Sequence, residues 1–337
     1  MNKKTPTMQD VARLAEVSIA TVSAVINKTA VVSSKRAERV RKAMEALDYH
    51  PDHIARSLKT GKTQTIGVIL PDVTNPFYPE VITGAEEVAH ANRYSVILCN
   101  TNEDPALEMQ QLNILFGHRV DGVLIGCTDP AISLEGLTRR RFPIVCFDRI
   151  PHGFRGDSVT TDNFEGAYEA TQHLINLGHE RIALLVGRTE LSTHLARLEG
   201  HRKAMFEAHL PVLGEYSFSG GMEIKTGYDI GRHLLNTRNH PRAIFCTNNK
   251  LLLGFVTAMR ESAIECPKAI SVVGYDDFAW TENFYPRLTV VAQPARELGR
   301  QAMQLLIKRI EGDVSTPPTQ ITLKPELRIR ESTSPRS

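Results

Sequence analysis

From Thr65 onward the chain alternates short apolar runs with helical stretches, and it does so twice. The first set of runs is Ile66–Leu70, Ser95–Cys99, Gly122–Ile125 and Ile144–Phe147. Helical spacing falls between them at Pro79–Asn92, Ala106–His118 and about Ile132–Arg140. The second set is Ile182–Val186, Ala243–Cys246 and Ala269–Val273, with helices at Leu195–Ala208, Ile224–Leu235 and Leu251–Ser262. Strands separated by helices pair in parallel, with the crossover helices packed on the sheet. The sequence therefore predicts an α/β fold with two similar parallel-sheet lobes in succession. A cleft between such lobes is a common place for a small ligand.

The 64 residues ahead of this pattern have a different character. Thr7 followed by Asp10 is a capping-box-like helix start, and Val11, Leu14 and Ala15 share one face of that helix. A turn near Glu16-Val17 leads to a second helix that Ser18 can cap. There Val22, Val25 and Ile26 face inward, leaving Ile19, Ala20, Ser23, Ala24 and Asn27 to point elsewhere. A third helix starts at Ser33 or Ser34 and runs to about Leu47. Its inward residues are Val40, Met44 and Leu47, while Lys35, Arg36, Arg39, Arg41 and Lys42 are expected to be solvated. Two short helices with a tight turn between them fit a DNA-reading helix-turn-helix. A plain three-helix bundle is the alternative, and charge weighs against it. Residues 1–62 hold 12 Lys and Arg against 6 Asp and Glu, in a chain of net charge +2. A basic head on a mildly acidic body is what phosphate contact requires. Asp52 can cap a brief basic helix after Pro51, and Thr60-Gly61-Lys62 reads as a linker. The expected domains are a helix-turn-helix over 1–50, a hinge helix and linker over 51–64, and two lobes over 65–337. The first lobe takes about 65–161 with 294–320, and the second about 162–293 with 321–337.

Other function classes fit poorly. Val68-Ile69-Leu70 is followed by Pro71-Asp72-Val73-Thr74, not by a glycine-rich phosphate loop. Asp276 and Asp277 are adjacent, which aims their side chains apart. His50 and His53 straddle Pro51 with no third metal ligand beside them. Five widely spaced cysteines form no C-x-x-C pair, so they are expected to be small buried residues. No catalytic residue, metal or cofactor is expected. The N-terminus precedes no apolar run, and no stretch has the length to span a bilayer. A cytoplasmic protein is therefore expected, and a periplasmic sugar-binding protein is disfavoured by the basic head.

At this point the motifs resemble the LacI/GalR (lactose-repressor-type) family of transcriptional regulators. The head T-M-Q-D-V-A-R-L-A-E-V-S-I-A-T-V-S-A-V-I-N carries the resemblance. It continues through Ala55-Arg56-Ser57-Leu58, Asn75-Pro76-Phe77, Val120-Asp121-Gly122, Phe147-Asp148-Arg149, Asp162-Asn163, Leu177-Gly178-His179, Val273-Gly274-Tyr275-Asp276-Asp277 and Gln293-Pro294. The resemblance implies a homodimer on a pseudo-palindromic double-stranded operator, with a small-molecule effector between the lobes. The implied DNA contacts are Thr7, Ser18, Ile19, Ala20, Thr21, Ser23, Ala24 and Asn27 in the head, and Ala55, Leu58 and Lys59 in the hinge. Thr21, Ser23 and Asn27 would hold phosphates, and Ile19, Ala20 and Ala24 would face base edges. Leu58 would wedge into the minor groove; a helix-core role is its alternative. Ala24 stands where many relatives carry Arg or His, and Asp52 where Asn or Ser is common.

For the effector, the resemblance points to Phe77 and Tyr78 against a ring face, Arg197 as a clamp, and Asp276 and Asn248 as polar contacts. Asp148, Thr193 and Gln293 follow. A sugar or sugar acid is the expected ligand class, with a purine as the alternative. An inter-lobe ion pair between Arg197 and Asp276 is the competing reading of those two residues. Met222 falls where some relatives place an aromatic, Trp280 lies just past the Asp276 motif, and Asn249 replaces an Asp frequent in relatives.

Overall fold

The computed structural model describes residues 6–27, 30–49, 62–139, 141–237, 240–312 and 316–336. They fall into two units that divide between Thr63 and Gln64. The first unit holds α1 (Met8–Leu14), α2 (Ile19–Asn27) and α3 (Ser34–Ala46). Its core is Val11, Ala12, Ala15, Val22, Val40 and Ala43, with Val25, Ile26, Met44 and Leu47 packed against it. Leu14 departs from the expected inward face and is 53% exposed.

The second unit begins with β1 (Thr65–Leu70), α4 (Phe77–Ala91), β2 (Ser95–Asn100), α5 (Pro105–Gly117), β3 (Gly122–Ile125), α6 (Glu135–Arg139), β4 (Ile144–Phe147) and β5 (Asp157–Thr161). It continues with α7 (Asn163–Asn176), β6 (Ile182–Val186), α8 (Ser192–Glu207), β7 (Ser217–Ser219), α9 (Ile224–Leu235), β8 (Ala243–Cys246), α10 (Asn249–Glu261), β9 (Ser271–Tyr275), α11 (Ala279–Asn283) and β10 (Thr289–Ala292). The last elements are α12 (Ala295–Ile310), β11 (Gln320–Leu323) and β12 (Glu326–Arg328).

Two six-stranded sheets result, in the orders β11-β5-β4-β3-β1-β2 and β12-β10-β9-β8-β6-β7. The first sheet is parallel throughout; in the second only β12 runs antiparallel, against β10. The central strands are buried on both faces, which explains their continuous Val, Ile and Leu runs. The chain passes between lobes after Thr161, after Ala292 and after Leu323. The third crossing corrects the expected boundary at 320/321. β11 pairs with β5 through Gln320–Leu323, and these residues complete the first sheet.

α12, from late in the chain, packs on α4 in the first lobe. The crossing is close because Gly84 and Gly299 carry no side chain. A methyl group on Gly299 would overlap the Val81 carbonyl, and one on Gly84 would overlap the Arg296 carbonyl. Gly299→Ala is therefore expected to destabilise the protein by about 1–3 kcal/mol, the usual cost of overpacking. Chemical denaturation of the variant and the parent checks this, and an unchanged midpoint would contradict the close crossing.

Candidate functional site

The head begins with a capping box. The Thr7 hydroxyl donates to Asp10 Oδ2 at 2.6 Å, and the Asp10 amide donates back to Thr7 Oγ1 at 3.4 Å. The chain then turns through Glu16, whose φ of 49° is left-handed. A non-glycine residue holds this conformation only where its surroundings fix it. Here Arg39 reaches from α3 to the carbonyls of Ala15 and Glu16 and to the Glu16 carboxylate. Arg39 thus braces the turn, which corrects the expectation that it is merely solvated. Ser18 caps α2, accepting from the Thr21 amide at 3.1 Å.

This geometry leaves Ser18, Ile19 and Ala20 exposed, and Thr21, Ser23 and Ala24 half-buried. One end of α2 therefore presents short and apolar side chains outward. Asn27 ends α2; its side chain lies outside the described residues. So do the hinge residues Ala55, Leu58 and Lys59.

In the second unit, the C-terminal ends of the strands of both sheets meet at the cleft. Tyr78 and Phe77 start α4 and are both buried, and the Tyr78 hydroxyl donates to Asp148 at 2.9 Å. Burial raises the pKa of Asp148 despite Arg149 beside it, and burial raises that of Tyr78 well above its usual value. Arg149 forms two hydrogen bonds to Glu103, at 2.9 and 2.8 Å. Arg188 of the second lobe joins the same carboxylate at 2.9 Å.

On the second lobe, Arg197 is 4% exposed and lies 3.6 Å above the Tyr275 ring. Its Nε donates to Asn163 at 2.8 Å and its Nη1 to the Thr247 carbonyl at 2.6 Å. Asp276, also buried, accepts from Asn249 at 2.8 Å and from Gln293 at 2.6 Å. Both Arg197 and Asp276 belong to the second lobe, and they form no ion pair with each other among the described residues. The inter-lobe ion pair is thereby corrected. Asn248 spends its side-chain oxygen on capping α10, accepting from Lys250 and Leu251 amides. Thr193 is buried in the first turn of α8, beside His194. Burial, with Arg197, Arg149 and Arg188 around it, lowers the His194 pKa well below the usual value. Trp280 packs on the second lobe's core and Met222 lies beside His194.

Phe77, Asp276 and Gln293 line a cavity of about 380 Å³ at the lobe junction. The larger cavity, about 770 Å³, sits on the first lobe among Ile132, Phe142, Phe154 and Arg309, away from these residues. The residues brought together at the cleft include several that sequence reasoning did not assign to it: Asn163, Tyr275, Glu103, Arg149 and Arg188. Asn163, Tyr275 and Arg149 stand inside matched motifs, so a signal for them was present. Glu103 and Arg188 are recruited by tertiary packing alone. Among the described residues no cluster of His, Cys, Asp or Glu fits a metal ion, and no helix is long and apolar enough to cross a membrane.

A basic helix-turn-helix ahead of a two-lobed ligand cleft defines a ligand-responsive DNA-binding regulator. Comparison with known proteins makes the class specific. The model of bacterial regulatory proteins, lacI family, matches residues 7–52, and that of a periplasmic binding protein-like domain matches residues 171–333. HTH-type transcriptional repressor PurR from Vibrio parahaemolyticus serotype O3:K6 is 37% identical over 326 residues, covering 96% of this chain and 97% of its own. The crystal structure of the Lac repressor dimer bound to operator and the anti-inducer ONPF covers 98% of this chain and all of its own, at 26% identity and a TM-score of 0.87. The transcriptional regulator CelR in complex with cellobiose covers 97% of this chain and 99% of its own, at 29% identity and a TM-score of 0.72. The chain belongs to the lacI family. It is a ligand-responsive transcriptional repressor and not an enzyme.

The second lobe also carries a titration. Burial raises the Asp277 carboxyl, but hydrogen bonds from Arg330, Thr281 and Arg328 outweigh that and hold it at about 2. A depressed carboxyl pKa stabilises the fold above the unfolded value of about 3.9, and this is lost as pH falls toward 2. Asp277→Asn is expected to flatten part of the fall in melting temperature between pH 4 and pH 2. Parallel acid titrations of both proteins, followed by circular dichroism, test this; identical curves would rule it out.

Proposed function

We propose that this repressor acts in the cytoplasm as a homodimer on a pseudo-palindromic operator. A small polyhydroxylated molecule, a sugar or sugar acid, binds between its lobes and changes its DNA affinity. In each protomer α2 enters a major groove, with Thr21, Ser23 and Asn27 on phosphates, Ile19, Ala20 and Ala24 toward base edges, and Thr7 and Ser18 as further DNA contacts. The hinge adds Ala55, Leu58 and Lys59, with Leu58 in the minor groove.

One observation carries the ligand assignment. Arg197 is held only by neutral acceptors and Asp276 only by neutral donors, and neither forms an ion pair among the described residues. Two buried charges of opposite sign, neither in an ion pair, suit a ligand that offers acceptors to one and donors to the other. Neighbouring hydroxyls do both, and a carboxylate adds a stronger partner for Arg197. CelR, matched over nearly the full chain, was solved with the sugar cellobiose. Phe77, Tyr78, Asp148, Thr193, Asn248 and Gln293 complete the proposed contacts. The response is a population shift: the ligand favours one lobe arrangement, and operator binding favours the other.

A thermal-shift panel of sugars, sugar acids and purines tests the ligand class, and stabilisation by purines alone would replace it. Arg197→Ala is expected to abolish effector binding in calorimetry while operator affinity without effector stays within about twofold, since the side chain is proposed to act only through the bound effector. Wild-type effector affinity in that variant would remove Arg197 from the site. Operator affinity should fall roughly a thousandfold as salt rises from about 50 to about 200 mM. Leu58→Ala should bind operator more weakly and bend it less in a gel-based bending assay; equal bending would exclude the wedge.

A further inference from the structure

Asn249 opens α10 on the second lobe, and its side-chain amide makes two bonds with different destinations. Nδ2 donates to Asp276 Oδ2 at 2.8 Å on its own lobe and to Asn75 Oδ1 at 2.9 Å on the other. The orientation of both amides is fixed by their partners. Asn75 Oδ1 also accepts from the Phe77 amide at 3.1 Å at the start of α4, so it is the oxygen that faces Asn249. Asn249 is then obliged to present its nitrogen to two acceptors. On the other side of Asp276, Gln293 donates to Oδ1 at 2.6 Å. A continuous chain of bonds thus runs from Gln293 at a lobe crossing, through Asp276 and Asn249, to the first turn of α4. The next residue, Lys250, adds an ion pair to Asp72 and a bond to Thr74 at 3.3 Å, again across the cleft.

We propose that Asn249 couples the two lobes through protein groups alone, tying Asp276 on its own lobe to the start of α4 on the other. This rests on the reading of Asp276 as an effector contact, and adds to it that an arriving ligand meets a carboxylate already engaged. An aspartate at 249 would set its carboxylate against Asp276 and against the Asn75 oxygen. Closure would then need a donor from elsewhere. A flip of the Asn75 amide would not rescue it, because the Phe77 amide would lose its acceptor. The asparagine at 249 is what removes this repulsion.

The test uses the full-length, ligand-free protein and hydrogen exchange read by mass spectrometry over residues 72–78, 247–253 and 295–310. Asn249→Asp changes only the second lobe, yet it is expected to speed exchange in 72–78 about fivefold, the weight of one lost hydrogen bond. Asn75→Ala changes only the first lobe, yet it is expected to speed exchange in 247–253 by a similar factor. Residues 295–310, in α12, should be unchanged in both. Acceleration confined to the mutated lobe, or spread equally to α12, would overturn the proposal. No effector enters this experiment. An Asp276 that proved not to bind one would be exposed by calorimetry while leaving the exchange result intact.

Discussion

Three passages of chain between the lobes set the limits within which everything else in the second unit operates. β5 leads into α7, β10 into α12, and β11 into β12. Each lobe is finished by chain from the far side of a crossing. The first sheet takes β11 as its outer strand, and α4 is covered by α12. The first lobe's core is completed by α12, whereas the second lobe's buried core lies between Ala167 and Val291, with Leu327 of β12 packed against it. Two of the crossings lie close to one another: the Asp162 amide bonds the Leu323 carbonyl at 2.8 Å. Gln293 sits on a crossing and Asn163 beside one, so the polar groups around Arg197 and Asp276 stand where a small rotation is felt first.

Charge in the cleft follows the same economy. A buried ion is tolerated when its partners replace the lost water. Arg149 and Arg188 share the Glu103 carboxylate from opposite lobes, and Lys250 meets Asp72 across the gap. Burial works against the ionised form of Asp72, yet the Lys250 and Thr74 bonds still lower its pKa. These pairs are satisfied within the protein. Arg197 and Asp276 differ, since their bonds are to neutral groups and to a ring face. At the cleft, Glu103 and Asp72 are thus paired with cations across the lobes, while Arg197 and Asp276, both on the second lobe, make no ion pair among the described residues. That division is why Arg197 and Asp276 were open to misreading as an ion pair from sequence, where only their signs are visible.

Most of the architecture was legible because buried parallel strands need long apolar runs. Gly122–Ile125, Ile144–Phe147, Ile182–Val186 and Ala243–Cys246 stand in the structure with the bounds their sequence indicates. β5 was not legible: Asp157-Ser158-Val159-Thr160-Thr161 is mostly polar, and it is buried because Arg309 of α12 meets Asp157 with two bonds of 2.8 Å. Periodicity carries no information about a partner 152 residues away. The same holds for β11, whose place in the first sheet depends on pairing with β5. At the cleft, motifs located Phe77, Arg197 and Asp276, but not what each would touch. Asn248 is a proposed ligand contact from its position, but its oxygen is committed to the helix end, so that contact falls to its amide nitrogen. In the head, Arg39 looked solvated because its charge is common on exposed helices; its length is what lets it reach the turn at Glu16.

That turn bears on how the head discriminates sequence. Glu16 in a left-handed conformation, Ser18 as cap and Arg39 as brace fix the start of α2 to within one turn of the helix. The residues presented there are Ile19 and Ala20, which have no side-chain donor, followed by Ala24, which has none either. Apolar groups of this size distinguish a thymine methyl from other base edges but cannot form the paired bonds that select guanine or adenine. A rigidly placed helix with few donors supplies register more readily than base discrimination. With α2 placed in a major groove as proposed, selectivity draws also on the energy of deforming the duplex, which depends on sequence at steps the helix does not touch.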